Sequence, residues 1–257
     1  MTTTITRFCK IFVALLLLLG MLLAICAPRG MRVMGQYATS LEGRTRGQRA
    51  NALRAAHALD GFVIAPGALF SFNKAVGSWS PDRGYVRAPV SYDGELVVDW
   101  GGGVCQTSTT LYNAALLAGL SVVQRHRHNW GPGYVPPGRD AAVAQTTIDL
   151  QLRNPYPWPV ELHTRTSETQ LGFTVLGRQP GPITDVAGVT QSTTAPLEIR
   201  KTDAQLPHGA RRVINHGRSG VRVSIYRTFL RGPSTGRREL VSQDSYSAMD
   251  RVIVVGR

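Results

Sequence analysis

The sequence predicts a mixed α+β fold, a domain with two main helices and antiparallel strands, followed by a small all-β module. Three observations carry this. Two segments, 45–60 and 105–118, space their apolar residues as helices do. Short runs rich in β-branched and alternating residues, separated by Gly, Pro and Asp, lie around them. Beyond Gly177 the helical spacing stops while alternating runs continue. A chain of 257 residues can hold one large domain or two small ones with an ample core.

In chain order, the first element is an apolar run from Ile11 to Ala27, preceded by Arg7 and Lys10 and followed by Pro28-Arg29-Gly30. A basic start and a leucine-rich core of this kind predict that residues 1–30 are a signal peptide or membrane anchor, since a spanning helix needs about 17 to 20 apolar residues. The rest of the chain is then extracytoplasmic. Residues 28–44 are polar and predicted irregular. Thr45 and Gln48 form a capping box ahead of a stripe of Ala52, Leu53, Ala56 and Leu59, and Gly61 stops that helix. A turn at Val63–Gly67 leads to a short strand at 68–73. A hairpin is expected over Val90–Val98, with Asp93-Gly94 as its turn.

The second helix follows Gly101-Gly102-Gly103-Val104-Cys105-Gln106, with Leu111, Ala114, Ala115 and Ala118 on its stripe and Gly119 as its stop. Strands are then predicted at Ser121–Arg125, Val143–Leu152, Val160–Thr164 and Leu171–Leu176. Residues 131–140 form a loop. Residues 178–195, rich in Pro, Gly and Thr, read as a linker. The small β-module spans 196–257, with strands at Gly220–Arg227 and Arg251–Val255 and a core too small to be large on its own.

Charge and cysteine usage narrow the function. A net charge of +13 asks for an anionic partner. Export makes wall polymers or a membrane surface the partner, and no basic-aromatic nucleic-acid signature is present, so nucleic acid is excluded. Cys9 and Cys26 belong to the leader region, which leaves Cys105 alone in the body and rules out an intrachain disulfide framework. A glycine loop that delivers a thiol to the first turn of a helix favours its thiolate, because the free N–H groups and the dipole there favour an anion.

A thiolate nucleophile needs a base and a group to orient that base. His126 and His128 lie two apart after the Ser121–Arg125 strand, and Asp140, Asn129 and Asp149 are candidate orienters. Backbone N–H groups around Gly103 and Val104, with Gln106, are candidate oxyanion donors. His-X-His with Cys105 is also a zinc-ligand pattern, but it lacks an obvious fourth ligand, so neither metal nor cofactor is expected.

The motifs Phe70-Ser71-Phe72-Asn73, Val76-Gly77, Gly84-Tyr85, Gly101–Gln106, Leu111–Ala115, Arg125 with His128, and Tyr134–Ala141 resemble the VanW family of bacterial envelope proteins over about residues 38–177. The resemblance implies an envelope location, a link to glycopeptide resistance, and L,D-transpeptidation of peptidoglycan through the cysteine at 105. It places the family's cysteine on Cys105 and its histidine on His128. Asp140 is then the orienter, and Arg125, Tyr134 and Arg139, in the same motifs, are candidate substrate-binding residues. One departure is Asn129, where a serine usually follows the histidine. Gly217, Gly220, Tyr226-Arg227 and Val255-Gly256 resemble glycine-rich extracellular β-modules, which implies wall or glycan adhesion. The expectation is a peptidoglycan-modifying acyl transferase that uses a cysteine nucleophile on stem peptides. The alternative is a catalytically silent wall- or glycopeptide-binding protein.

Overall fold

The computed structural model describes residues 30–92, 95–178, 184–232 and 234–257. The signal or anchor reading, residues 1–30, lies outside the described residues except for Gly30, and the Asp93-Gly94 turn lies outside them too. No helix among the described residues is long and apolar enough to cross a membrane.

Helix α1 (Arg46–His57) begins where the capping box predicts. The Thr45 N–H donates to Gln48 Oε1 at 3.1 Å, and the Gln48 N–H returns to Thr45 Oγ1 at 3.2 Å. A short α2 (Phe72–Val76) starts inside the stretch read as a strand. Only Leu69–Ser71 is strand, because Ser71 accepts from the Lys74 N–H and caps a helix there. Helix α3 (Val104–Leu117) is buried on nearly every side, including the polar run Gln106–Thr110. Each hydroxyl in that run has a partner, as buried polar groups require. Thr107 donates to the Ala52 carbonyl at 2.9 Å, Ser108 to Ala141 at 2.7 Å and Thr110 to Gln106 at 2.7 Å.

Strand β1 (Arg32–Ser40) forms one edge of a four-stranded antiparallel sheet. It pairs with β9 (Gln170–Gly177), which pairs with β8 (Val160–Thr166), which pairs with β2 (Phe62–Ile64). The irregular reading of 28–44 is therefore corrected. Gly35 breaks the alternation of β1 with a register shift, and a Cβ there would meet the Ala118 N at 2.4 Å, so the strand runs directly against the end of α3. Smaller sheets join β3 (Leu69–Ser71), β6 (Ser121–Gln124) and β7 (Gln151–Arg153), and pair β4 (Arg87–Tyr92) with β5 (Glu95–Trp100). The strand predicted at 143–152 is mostly absent: Ala144 and Ile148 make only an isolated bridge across a turn. One core, with Leu41, Phe70, Phe72, Leu111, Leu116 and Phe173 among its members, fills the space around α3.

The remaining strands are β10 (Thr184–Thr194), β11 (Glu198–Asp203), β12 (Arg211–Arg218), β13 (Gly220–Phe229), β14 (Arg238–Tyr246) and β15 (Met249–Gly256). They form the sheets β10-β13-β14 and β11-β15-β12. Residues 184–194, read from composition as linker, pair with β13 along nearly their whole length. Their Thr and Val content suits a strand, while exposure on both faces removes the apolar alternation that would have marked one. The described residues thus have few helices and many antiparallel strands, a mixed α+β fold.

Candidate active site

Cys105 lies in the first turn of α3, directly after a tight loop. Gly103, the helix N-cap, has φ 110°, and a Cβ there would meet the Gln48 carbonyl oxygen at 2.2 Å. Only glycine fits both the left-handed angle and the approach. The thiol is half-buried. Its Sγ donates to the Val143 carbonyl at 3.3 Å and lies 3.5 Å from the Val143 N–H. The His128 side chain is near enough to act on the ionisation of this thiol.

His128 Nδ1 meets Asp140 Oδ2 at 2.6 Å, and the same oxygen accepts the His128 backbone N–H at 2.7 Å. That leaves Nε2 for the thiol. Asp140 is fully buried. Its Oδ1 accepts from Arg125 Nη2 at 2.9 Å and from the Tyr246 hydroxyl. Arg125 also donates from Nε to the Asp140 carbonyl at 2.6 Å, and from Nη1 to both oxygens of Asp244 at 2.6 and 2.7 Å.

The electrostatics follow from this array. Burial opposes ionisation of Cys105, but the hydrogen bond and charge of His128 outweigh it and hold the thiol below its ordinary value. Burial opposes protonation of His128, yet the hydrogen bonds to Asp140 and Cys105 push it up to about 10. Burial would raise Asp140, but the hydrogen bond from His128 and the Arg125 charge hold it at about 2. All three shifts favour the charged forms of Cys105, His128 and Asp140.

The other candidates divide. Tyr134 lies near the thiol: burial and the Cys105 charge raise its pKa against the lowering effect of Thr109, and Arg44 stacks on its ring at 4.9 Å. The Gln106 carboxamide is committed to Thr39 Oγ1 at 3.0 Å and the Ser40 carbonyl at 2.7 Å, so it is not available as an oxyanion donor. The Val104 and Gln106 N–H groups are likewise taken, by the carbonyls of Gly101 and Gly103 at 3.0 Å each. Gly103 acts as the turn. Arg125 and Arg139 are bonded into the scaffold. Arg139 bonds Asn113 and the Val186 carbonyl, the latter at 3.0 Å. His126 is exposed and meets Gln124 at 2.9 Å, away from the thiol. Asp149 serves α2, accepting from Ser71 at 2.6 Å and from the Asn73 N–H at 3.0 Å.

Spacing gave no hint of Val143, Asp244 or Tyr246, which reach the site only through the folded chain. A cavity of about 610 Å³ is lined by Arg54, His57, Arg83 and Tyr85 among others, and by none of Cys105, His128 or Asp140. Among the described residues, no cluster of three or more His, Cys, Asp or Glu has the arrangement of a metal site.

Two family matches divide the chain. Residues 47–176 match the VanW like protein family, and residues 187–257 match the G5 domain. The chain belongs to the VanW-like family. The G5 match begins inside the stretch that composition had assigned to a linker. Similar proteins include the uncharacterized protein YoaR of Bacillus subtilis, 40% identical over 132 residues, covering 51% of this chain and 44% of that protein. Another is the vancomycin B-type resistance protein VanW of Enterococcus faecalis, 30% identical over 139 residues, covering 52% of this chain and 50% of that protein. The chain thus spans about half the length of the curated relatives it matches. Among solved structures, the HP0197 G5 domain aligns with 28% of this chain and 95% of its own at 25% identity and a TM-score of 0.17. The G5 domain of an IgA1 protease aligns with 29% of this chain and 87% of its own at 23% identity and a TM-score of 0.22.

Proposed function

We propose that this protein is an extracytoplasmic cysteine acyl transferase of the L,D-transpeptidase type, acting on peptidoglycan stem peptides. The observation that carries the reading is the Cys105–His128–Asp140 array at the head of α3. The thiolate attacks an amide carbonyl of the donor stem peptide and forms an S–C bond. As the tetrahedral intermediate collapses, the C–N bond breaks and the leaving amine takes the proton held by His128 Nε2. An acceptor amine then attacks the thioester and gives its proton to His128. The new amide forms, and the thiolate leaves as it began. Water in place of the amine gives hydrolysis. Asp140 keeps the imidazole in one tautomer and stabilises its charged form.

Several features support an envelope location: the basic-then-apolar leader, the net charge of +13 suited to anionic wall polymers, and the VanW-like family itself. The G5 domain is the natural wall-adhesive part, and the leader the membrane tether. A role in glycopeptide resistance rests on the name of the Enterococcus faecalis relative.

One observation favours the second reading, a binding protein without turnover. The Val104 and Gln106 amides and the Gln106 carboxamide, the expected oxyanion donors, already have partners. Mass spectrometry of the purified protein after incubation with muropeptides separates the two. Acyl transfer predicts a covalent adduct on Cys105 that disappears in Cys105→Ala, together with new cross-linked or trimmed muropeptides. A folded protein that retains wall polymer yet shows neither adduct nor altered muropeptide would establish the binding reading.

A further inference from the structure

We propose that the C-terminal β-module is a working part of the thiol site, and that Tyr246 and Asp244 on β14 are positioning residues for Asp140. This rests on the thiolate reading above. Tyr246 and Asp244 are two apart on a strand, so both project from the same face. Both are buried. The Tyr246 ring belongs to the small core of its own module, with Val223 and Ile225. Its hydroxyl leaves that core, donates to Asp140 Oδ1, and accepts the Gly138 N–H at 2.9 Å. It thereby ties the carboxylate of Asp140 to the backbone of the loop that carries it.

Asp244 acts one step further out. Arg125 lies between two buried carboxylates, Asp140 and Asp244, and donates to both. Asp244 shares the guanidinium charge with Asp140, so that Asp140 is not the sole counterion of Arg125 while it also holds His128. Ser242 fixes Asp244 in turn, donating to its Oδ2 at 2.8 Å. Without Asp244, Arg125 competes with His128 for the one carboxylate that remains. Without the Tyr246 hydroxyl, Asp140 Oδ1 is left to Arg125 alone and the tie to the Gly138 backbone is lost. Either loss leaves the imidazolium less well held and the thiolate without its partner.

The same module also grips the far end of the helix that carries Cys105. Arg227 Nη1 donates to the carbonyls of Leu116 and Leu120 at 3.2 and 2.8 Å, and the Thr184 hydroxyl donates to Leu117 at 2.8 Å. A cation is favoured at that helix end. The C-terminal strands therefore set both the position of α3 and the geometry of the carboxylate behind its histidine.

The test uses the full chain and three variants: Tyr246→Phe, Asp244→Asn and, as a control on the same module, Tyr226→Phe, whose ring lies under Arg238 at 4.0 Å. The readouts are the rate of Cys105 alkylation by iodoacetamide at pH 7 and the downfield proton resonance of the His128–Asp140 hydrogen bond. Near-ultraviolet circular dichroism checks folding. We expect Tyr246→Phe and Asp244→Asn to fold, to lose or shift the resonance, and to react more slowly by at most about tenfold, the loss of thiolate that a tenfold gain in proton affinity gives when the midpoint lies above pH 7. Tyr226→Phe should match wild type in all three.

If wild type shows enhanced reactivity and the resonance, and both variants retain them, the module only anchors and the inference falls. Unfolding of both variants would assign the pair to folding and overturn it equally. If one variant unfolds, the other decides by the same two readouts. A wild-type thiol as slow as free cysteine, with no such resonance, would instead remove the thiolate reading on which the inference stands.

Discussion

The two halves of the chain are held together by different forces. Around α3 a single apolar cluster includes Leu111, Leu116, Phe70 and Phe173, all essentially inaccessible to water. In the C-terminal strands the corresponding cluster is Val223, Ile225 and Tyr246, while most of β10 and β11 is exposed. Each large apolar side chain fully buried contributes about 1.5–3 kcal/mol, so the first half is stabilised mainly by burial. The second half depends on strand pairing and on polar attachments to the first: Arg227 on the end of α3, and Tyr246 and Asp244 on Asp140 and Arg125. The polar attachments from Tyr246 and Asp244 meet the candidate site at Asp140 and Arg125.

The largest expected effect tests the apolar side of that contrast. Phe173→Ala removes a ring buried under α3 and should cost about 3–5 kcal/mol, as large-to-small core changes do. Because both ends of α3 and the attached module depend on this core, urea unfolding followed by tryptophan fluorescence and by far-ultraviolet circular dichroism should give one coincident, earlier transition. Separate transitions would mean that the C-terminal strands stand on their own, and the contrast would break.

Arg227→Met tests the polar side. Methionine keeps much of the bulk but leaves the buried Leu120 carbonyl without its donor, while Leu116 keeps the Gly119 N–H and the Thr184 hydroxyl and Glu239 keeps Arg237. A buried group left unpaired costs about 1–3 kcal/mol, so a loss of about 2 kcal/mol is expected. Native-state hydrogen exchange should show β13 and β14 losing protection while β8 and β9 keep theirs. Equal loss across both sheets would place the effect in the common core instead.

What the sequence shows and what it hides divide along the same line. Both main helices were legible because their signals are local: the Thr45–Gln48 box, the apolar stripes, and the glycines at 61 and 119. Strands β13 and β15 were legible from alternation. Strand β1 was hidden by Gly35, a residue placed for contact with α3 and not for strand propensity. Strand β10 was hidden because two exposed faces carry no alternation. The placement of Cys105 in a first helical turn could be read directly, and His128 and Asp140 were among the candidates, but the choice of His128 over His126 depended on motif resemblance, since Asp140 meets His128 only in the fold. Tyr246 and Asp244 left no trace in the sequence. Their role comes from a strand more than a hundred residues away, and nothing in the composition of β14 distinguishes them from any alternating pair.

The smallest expected effect concerns the shared network itself. The Asp140 carboxyl is held at about 2, below its ordinary 3.8, by the hydrogen bond from His128 and the Arg125 charge, against the opposing effect of burial. A group whose folded-state pKa is depressed contributes stability that is present above the unfolded value and is lost as pH falls toward the folded one. The Asp140 contribution is therefore intact above about pH 5 and disappears between about pH 4 and pH 2, amounting to about 2 kcal/mol. Other carboxylates titrate in the same range, so the measurement is a difference: urea stabilities of wild type and Asp140→Asn at pH 5 and at pH 2. Asparagine cannot ionise, so the wild-type advantage should shrink by about 2 kcal/mol on acidification, the sum of the Asp140 protonation terms. The network also joins the two halves, so hydrogen exchange in β14 of wild type should accelerate over the same interval before exchange in β9 does. An advantage that stays constant with pH would show that Asp140 holds the join by shape alone, and the charge balance among Asp140, Arg125 and Asp244 would carry no share of the attachment.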